Sequence, residues 1–182
     1  GVPGDAEARG GSLGRAWRRR LLKVPPRKRG SASPGIFSAM LDPDALIEPG
    51  RGLGGITLGC QVADILAVAE PLRVIEIPGE GEEEGVTIHS FGSIRTWSVA
   101  GRVEQVGAFE AYRGRTASGI GLGSTIDEIR AAHGAVAPLG AENMIVVPAL
   151  PGAGIETTEW ATPDEPDPTA RVVQLFVHAI DD

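Results

Sequence analysis

Aromatic residues are scarce in this chain: one Tyr, three Trp and four Phe among 182 residues. Any core must therefore be built from Val, Ile, Leu and Ala. The single cysteine, Cys60, excludes an intrachain disulfide. No Cys-x-x-Cys exists, and His89, His133 and His178 are never four residues apart, which removes the usual zinc spacings. There is no G-x-S-x-G nucleophile elbow, and no apolar run approaches the ~20 residues that span a bilayer. The stretch ALIEPGRGLGG before Cys60 carries Glu48, Pro49 and Arg51 and has no apolar h-region, so TLGC does not read as a lipobox. The expectation is a cytoplasmic protein with no cofactor, no metal and no membrane span.

What charge there is lies unevenly. Residues 1–41 hold nine Lys+Arg against two acids, whereas residues 42–182 hold eight against 22. An acidic body repels nucleic acid and anionic lipid and suits a basic partner. The basic run RAWRRRLLKVPPRKRG (Arg15–Gly30) is interrupted by Pro25 and Pro26, which stop any amphipathic turn around Trp17, Leu21 and Leu22. Composition changes sign near Met40, the first methionine. Residues 1–39 are expected to be a basic, disordered leader, or an upstream extension that is not native.

An internal repeat organises the rest. GGITLGCQVADILAVAE (Gly54–Glu70) aligns with SGIGLGSTIDEIRAAHG (Ser118–Gly134), so that Gly55, Ile56, Leu58, Gly59, Ile65 and Ala67 meet Gly119, Ile120, Leu122, Gly123, Ile129 and Ala131. Further on, Arg102, Val103 and Gln105 meet Arg171, Val172 and Gln174. Two blocks in the same order point to tandem duplication, with an insertion in TPDEPDPTA (Thr162–Ala170). The domain reading is an entry segment at 40–53, repeat 1 at 54–116 and repeat 2 at 117–182.

GIGLGSTIDEIRAAHG has the look of a phosphate-cradling loop. The first copy argues otherwise, because Thr57 replaces the middle glycine. What both copies keep is G-I-x-L-G, a short strand ending in a turn. Thr125 with Glu128, or Ser124 with Asp127, has capping-box spacing, and Gly134 closes the helix. Each copy thus reads as G-I-x-L-G, a helix, then strands. The helices are expected at Gln61–Ala69 and Ile126–Ala132. Strands are expected at Leu72–Ile77, Val86–Phe91, Ile94–Val99 and Arg102–Tyr112, then at Met144–Val147, Ile155–Trp160 and Arg171–Ile180. Helices this short must pack on a sheet. The fold class is α+β with antiparallel sheets: two tandem helix-plus-sheet repeats, the short helices on one face of a curved sheet.

The pattern G-I-x-L-G-x-[ST]-x-x-[DE]-[IV] followed by strands resembles the beta-lactamase inhibitory protein-like superfamily, which includes the small lipoproteins of the outer-membrane assembly machine. The resemblance covers most of residues 47–182. It implies helices behind a curved sheet whose other face binds a protein, with two units in tandem as in the inhibitory members. Those members have disulfides and an aromatic-rich binding face, which this chain does not share.

The candidate residues follow from strand alternation. In RVVQLFVHAI, Val173, Leu175, Val177 and Ala179 suit a face beneath the helices, opposite Gln174, Phe176 and His178. Val106 and Ala108 match the apolar set in the first copy, opposite Gln105 and Phe109. Gln105, Phe109, Gln174, Phe176 and His178 are therefore candidate partner-binding residues, either as an interface or as a second packed face; Trp97, which precedes the last strand of its copy, joins them as an anchor of that face or else fills the end of the core. Trp160 is the counterpart of Trp97. The functional expectation is a non-enzymatic, inhibitor-like or immunity-like module that recognises a protein, one of basic surface, through its sheet. The alternative is a small-ligand or metal-dependent enzyme that uses His89, His178 and nearby carboxylates such as Glu76 or Glu110. Cys60 at a helix start is the one candidate nucleophile, weighed against a packing role. GEGEEEG (Gly79–Gly85) reads as a solvated hairpin loop, with calcium binding as its rival.

Overall fold

The computed structural model describes residues 41–79, 84–139, 143–158 and 165–180, all within one compact unit. The leader, Glu80 to Glu83 of the acidic loop, and Trp160 lie outside the described residues.

The element order is β1 (Gly52–Leu53), β2 (Ile56–Thr57), α1 (Val62–Leu66), β3 (Arg73–Ile77), β4 (Val86–Phe91), β5 (Ile94–Val99), β6 (Arg102–Phe109), α2 (Ile126–His133), β7 (Ala137–Pro138), β8 (Met144–Val146), β9 (Ala153–Thr157) and β10 (Val172–His178). Strands β1 and β2 form a small hairpin, and the other eight form one antiparallel sheet. Its order is β3-β4-β5-β6-β10-β9-β8-β7, so the longest strands, β6 and β10, lie side by side at the centre. The α+β class with antiparallel sheets is what the short helices and alternating strands require.

The core lies between the helices and one sheet face. Val62 and Ile65 of α1 and Ile126 and Ile129 of α2 join Ile94, Val103, Val106, Ala108, Ile145, Ile155, Leu175 and Val177 in one buried cluster. Aliphatic side chains fill it, as the shortage of aromatics demands. Helix α2 starts on a complete capping box: Thr125 Oγ1 accepts from the Glu128 N–H, and the Glu128 carboxylate accepts from the Thr125 N–H. Helix α1 has no side-chain cap and is shorter than expected, five residues ending at Leu66.

Two turns are built alike. The Gly59 N–H donates to Val103 O and the Gly123 N–H to Val172 O; Cys60 O accepts from the Val103 N–H, and Ser124 O from the Val172 N–H. The Val62 N–H donates to Gly101 O and the Ile126 N–H to Ala170 O. Arg102 Nη1 donates to Gly59 O at 2.6 Å, and Arg171 Nη1 to Gly123 O at 2.9 Å. Both glycines have φ near +80°, a region that L side chains rarely adopt. These bonds also dispose of the phosphate loop. The N–H groups of Gly123 to Asp127 already have protein acceptors: Val172 O, Gly121 O, the Glu128 carboxylate, Ala170 O and Pro168 O in turn.

One expectation fails at β10. A register shift between Val172 and Gln174 puts Val172 into the core and leaves Val173 38% exposed, so Val173 does not pack beneath the helices. A matching shift separates Val103 from Gln105 against β5. Bulges of this kind insert one unpaired residue and reset the alternation.

Tyr112 fastens the entry segment to the end of β6. Its hydroxyl accepts from the Gly54 N–H at 2.9 Å and donates to Ala45 O at 2.7 Å, and the ring is 3% exposed. Burial pushes its pKa up to about 12. Tyr112→Phe leaves one buried donor and one acceptor unmet and is expected to cost about 2 kcal/mol, read from chemical denaturation. The folded pKa lies above the unfolded value of 10. The associated stability is therefore fully present below pH 10 and is lost as pH rises towards 12. The Phe variant lacks that alkaline decline.

Candidate functional site

The sheet face turned away from the helices carries all six candidate residues. The register pairs Trp97 with Gln105 and Gln105 with His178, and it pairs Phe109 with Gln174. In the next cross-strand row Arg95 faces Gly107, Gly107 faces Phe176, and Phe176 faces Gly154. Phe176 thus lies between two glycines. The absence of side chains at 107 and 154 leaves room for its ring to spread across the sheet.

Three aromatics meet there. The centroids of Trp97 and Phe176 are 5.6 Å apart, those of Phe109 and Phe176 5.8 Å, and those of Trp97 and Phe109 6.0 Å. The contacts to Phe176 are edge-on, the geometry that ring quadrupoles favour. The Arg95 guanidinium sits 4.3 Å from the Phe109 centroid, a cation–π contact. A Cβ on Gly107 would meet Phe109 at 2.8 Å, Trp97 at 3.0 Å and Phe176 at 3.2 Å, so this glycine is the seat of the cluster.

Exposure divides the six. Phe109, Phe176 and Gln105 are buried, at 6%, 3% and 2%. Trp97, Gln174 and His178 are half-buried, and Arg95 is exposed. The Gln105 Oε1 atom is buried with no hydrogen-bond partner among the described residues. His178 Nδ1 lies 2.9 Å from Ala179 O. Buried Phe109 and Phe176 therefore support a surface whose accessible groups are Trp97, Arg95, Gln174 and His178.

Two residues of this site were missed in the sequence. Arg95 stands two positions before Trp97 on the same strand, and alternation alone puts both on one face. Gly107 looks like a weak point in β6, whereas it is the floor on which the rings rest.

The histidine pair does not assemble. His89 on β4 pairs with Thr96 and lies on the helix side of the sheet, whereas His178 on β10 lies on the far side. Strands β5 and β6 also stand between their strands. Consecutive side chains alternate between faces, so two strand histidines meet only when their registers agree, and these do not. Among the described residues, no group of three or more His, Cys, Asp or Glu side chains is placed to hold a metal ion. Cys60 is half-buried, and burial together with the Asp64 carboxylate pushes its thiol pKa up, the reverse of activation.

His89 is 7% exposed, and among the described residues its Nδ1 has no hydrogen-bond partner, nor has Thr96 Oγ1 opposite it. Burial lowers the His89 pKa below 6.5, so the folded ring takes up a proton less readily than the unfolded chain. Its contribution is intact above pH 6.5 and declines as pH falls through that value. Urea midpoints between pH 7.5 and 5.5 are expected to fall further for the natural chain than for His89→Leu.

No protein-family model, curated protein or solved structure matches the chain. Among the described residues, no helix is long and apolar enough to cross a membrane.

Proposed function

We propose that the far sheet face recognises a protein partner, in the manner of an inhibitor or an immunity protein. The observation that carries this reading is the Trp97–Phe109–Phe176 cluster seated on Gly107 and topped by Arg95. Trp and Arg are the residue types that dominate binding energy when held rigidly at an interface. Here the rigidity comes from two buried phenylalanines. Gln174 and His178 supply polar edges. The acidic balance of residues 42–182 favours a basic partner through steering and complementarity.

The same proposal takes the chain as two copies of one helix-plus-sheet unit, akin to the beta-lactamase inhibitory protein-like superfamily. Supporting it are the matched bonds of Gly59 with Gly123 and of Arg102 with Arg171, the matched register shifts, and a strand order that reads the same from both edges. In this arrangement the cluster straddles the seam between the units, with Trp97 and Phe109 from the first and Phe176 from the second.

The test is affinity capture with the full chain and with the double variant Arg95→Ala/Trp97→Ala, whose melting curve is checked first. A partner held by the natural chain and by Asp127→Ala on α2 is expected to be lost by the double variant. Retention of that same partner by the folded double variant contradicts the reading.

A further inference from the structure

The two edges of the eight-stranded sheet differ. β7 has two residues, one of them Pro138, which has no N–H to offer. Such an edge is blunted against pairing. β3 runs five residues, Arg73–Ile77, contains no proline and, among the described residues, pairs only with β4. Its outer side faces no other strand among the described residues.

The segment that leads into that edge, and the edge itself, expose aliphatic side chains. Leu72 is 80% exposed, Val68 54%, Val74 48% and Leu66 43%, the largest concentration of exposed aliphatic residues along the described chain. Around the patch the exposed charges are acidic. Asp64 and Glu70 are exposed in the segment that leads into β3, Glu76 shares a strand face with Val74, and Glu84 lies just before β4, whereas Arg73 points to the far face.

We infer that the β3 edge is a docking site for an extended, basic segment of another protein, which adds to the sheet as a ninth strand. Main-chain hydrogen bonds supply such pairing, and side chains facing alternate pockets supply its specificity. A residue opposite Val74 would be apolar, and one opposite Glu76, two positions away on the same face, would be Lys or Arg. A second copy of this chain is the poorer occupant, because β3 against β3 brings two acidic frames together. The inference concerns the edge and stands independently of recognition by the far face.

The probe is a labelled nine-residue peptide, Thr-Val-Thr-Lys-Thr-Val-Thr-Lys-Thr, which places Val and Lys alternately on one strand face. Fluorescence anisotropy with the full chain is expected to show saturable binding, and hydrogen exchange to slow at residues 73–77. Val74→Lys, a change at a half-exposed side chain, is expected to weaken binding at least tenfold, as is replacing both peptide lysines with glutamate. Leu46→Lys, at an exposed site elsewhere, is expected to leave it unchanged. The inference is overturned if the peptide fails to bind, if it binds the Val74→Lys chain equally, or if exchange slows elsewhere. It is equally overturned if the chain sediments as a dimer that Val74→Lys dissociates, since a second copy then occupies the edge.

Discussion

Phe176→Ala is expected to lower the unfolding free energy by about 4 kcal/mol, within the usual range for truncating a buried aromatic side chain. Phe176 is 3% exposed at the centre of the sheet and touches both Trp97 and Phe109 edge-on. Its two cross-strand neighbours are Gly107 and Gly154. Neither has a side chain that can swing into the vacated space, so the cavity stays open and its full cost is felt. The loss is to be read as a shift in urea midpoint at unchanged slope. A Phe176→Leu variant, which keeps most of the volume, is expected to recover more than half of the loss. An alanine variant as stable as the natural chain would mean that the rings do not pack as described.

Gly107→Val tests the same cluster from beneath and is expected to cost roughly 3 kcal/mol by overpacking. The added Cβ meets three rings at once, each already braced against the other two. One flexible side chain could step aside, but three interlocked rings have no common direction of retreat. The strand backbone is compatible with valine, so the penalty is specific to the far face. Trp97 fluorescence is expected to shift with the loss of stability, because its ring must move. Ala108→Gly, one residue along and on the helix side, should leave that fluorescence unchanged.

Much of this was legible in the residues. Strands Val86–Phe91 and Ile94–Val99 match their expected limits, because Gly92 with Ser93 breaks two runs of alternating apolar residues. The capping pair Thr125 and Glu128 placed the start of α2. The repeated G-I-x-L-G located both turns, and their glycines do hold left-handed backbone.

Other features were hidden for physical reasons. Alternation predicts a face only while pairing stays regular, and the shift between Val172 and Gln174 transferred Val173 to the surface. Strand β9 begins at Ala153 rather than Ile155, since Gly154 looks unfavourable in a strand until Phe176 is seen lying across from it. Helix α1 has no capping side chain and stops three residues short of Ala69. Which histidines meet is a matter of strand order, and one dimension does not show that β5 and β6 separate His89 from His178.

The most direct test of far-face recognition is site-specific photocrosslinking. A benzophenone amino acid is placed singly at Trp97, Gln174 and His178 on the far face, and at Ala131 on α2, in otherwise natural full chains exposed to host lysate. The account predicts that one protein crosslinks from all three far-face positions and not from position 131. Crosslinking of that protein from position 131, with none from the other three, would contradict it.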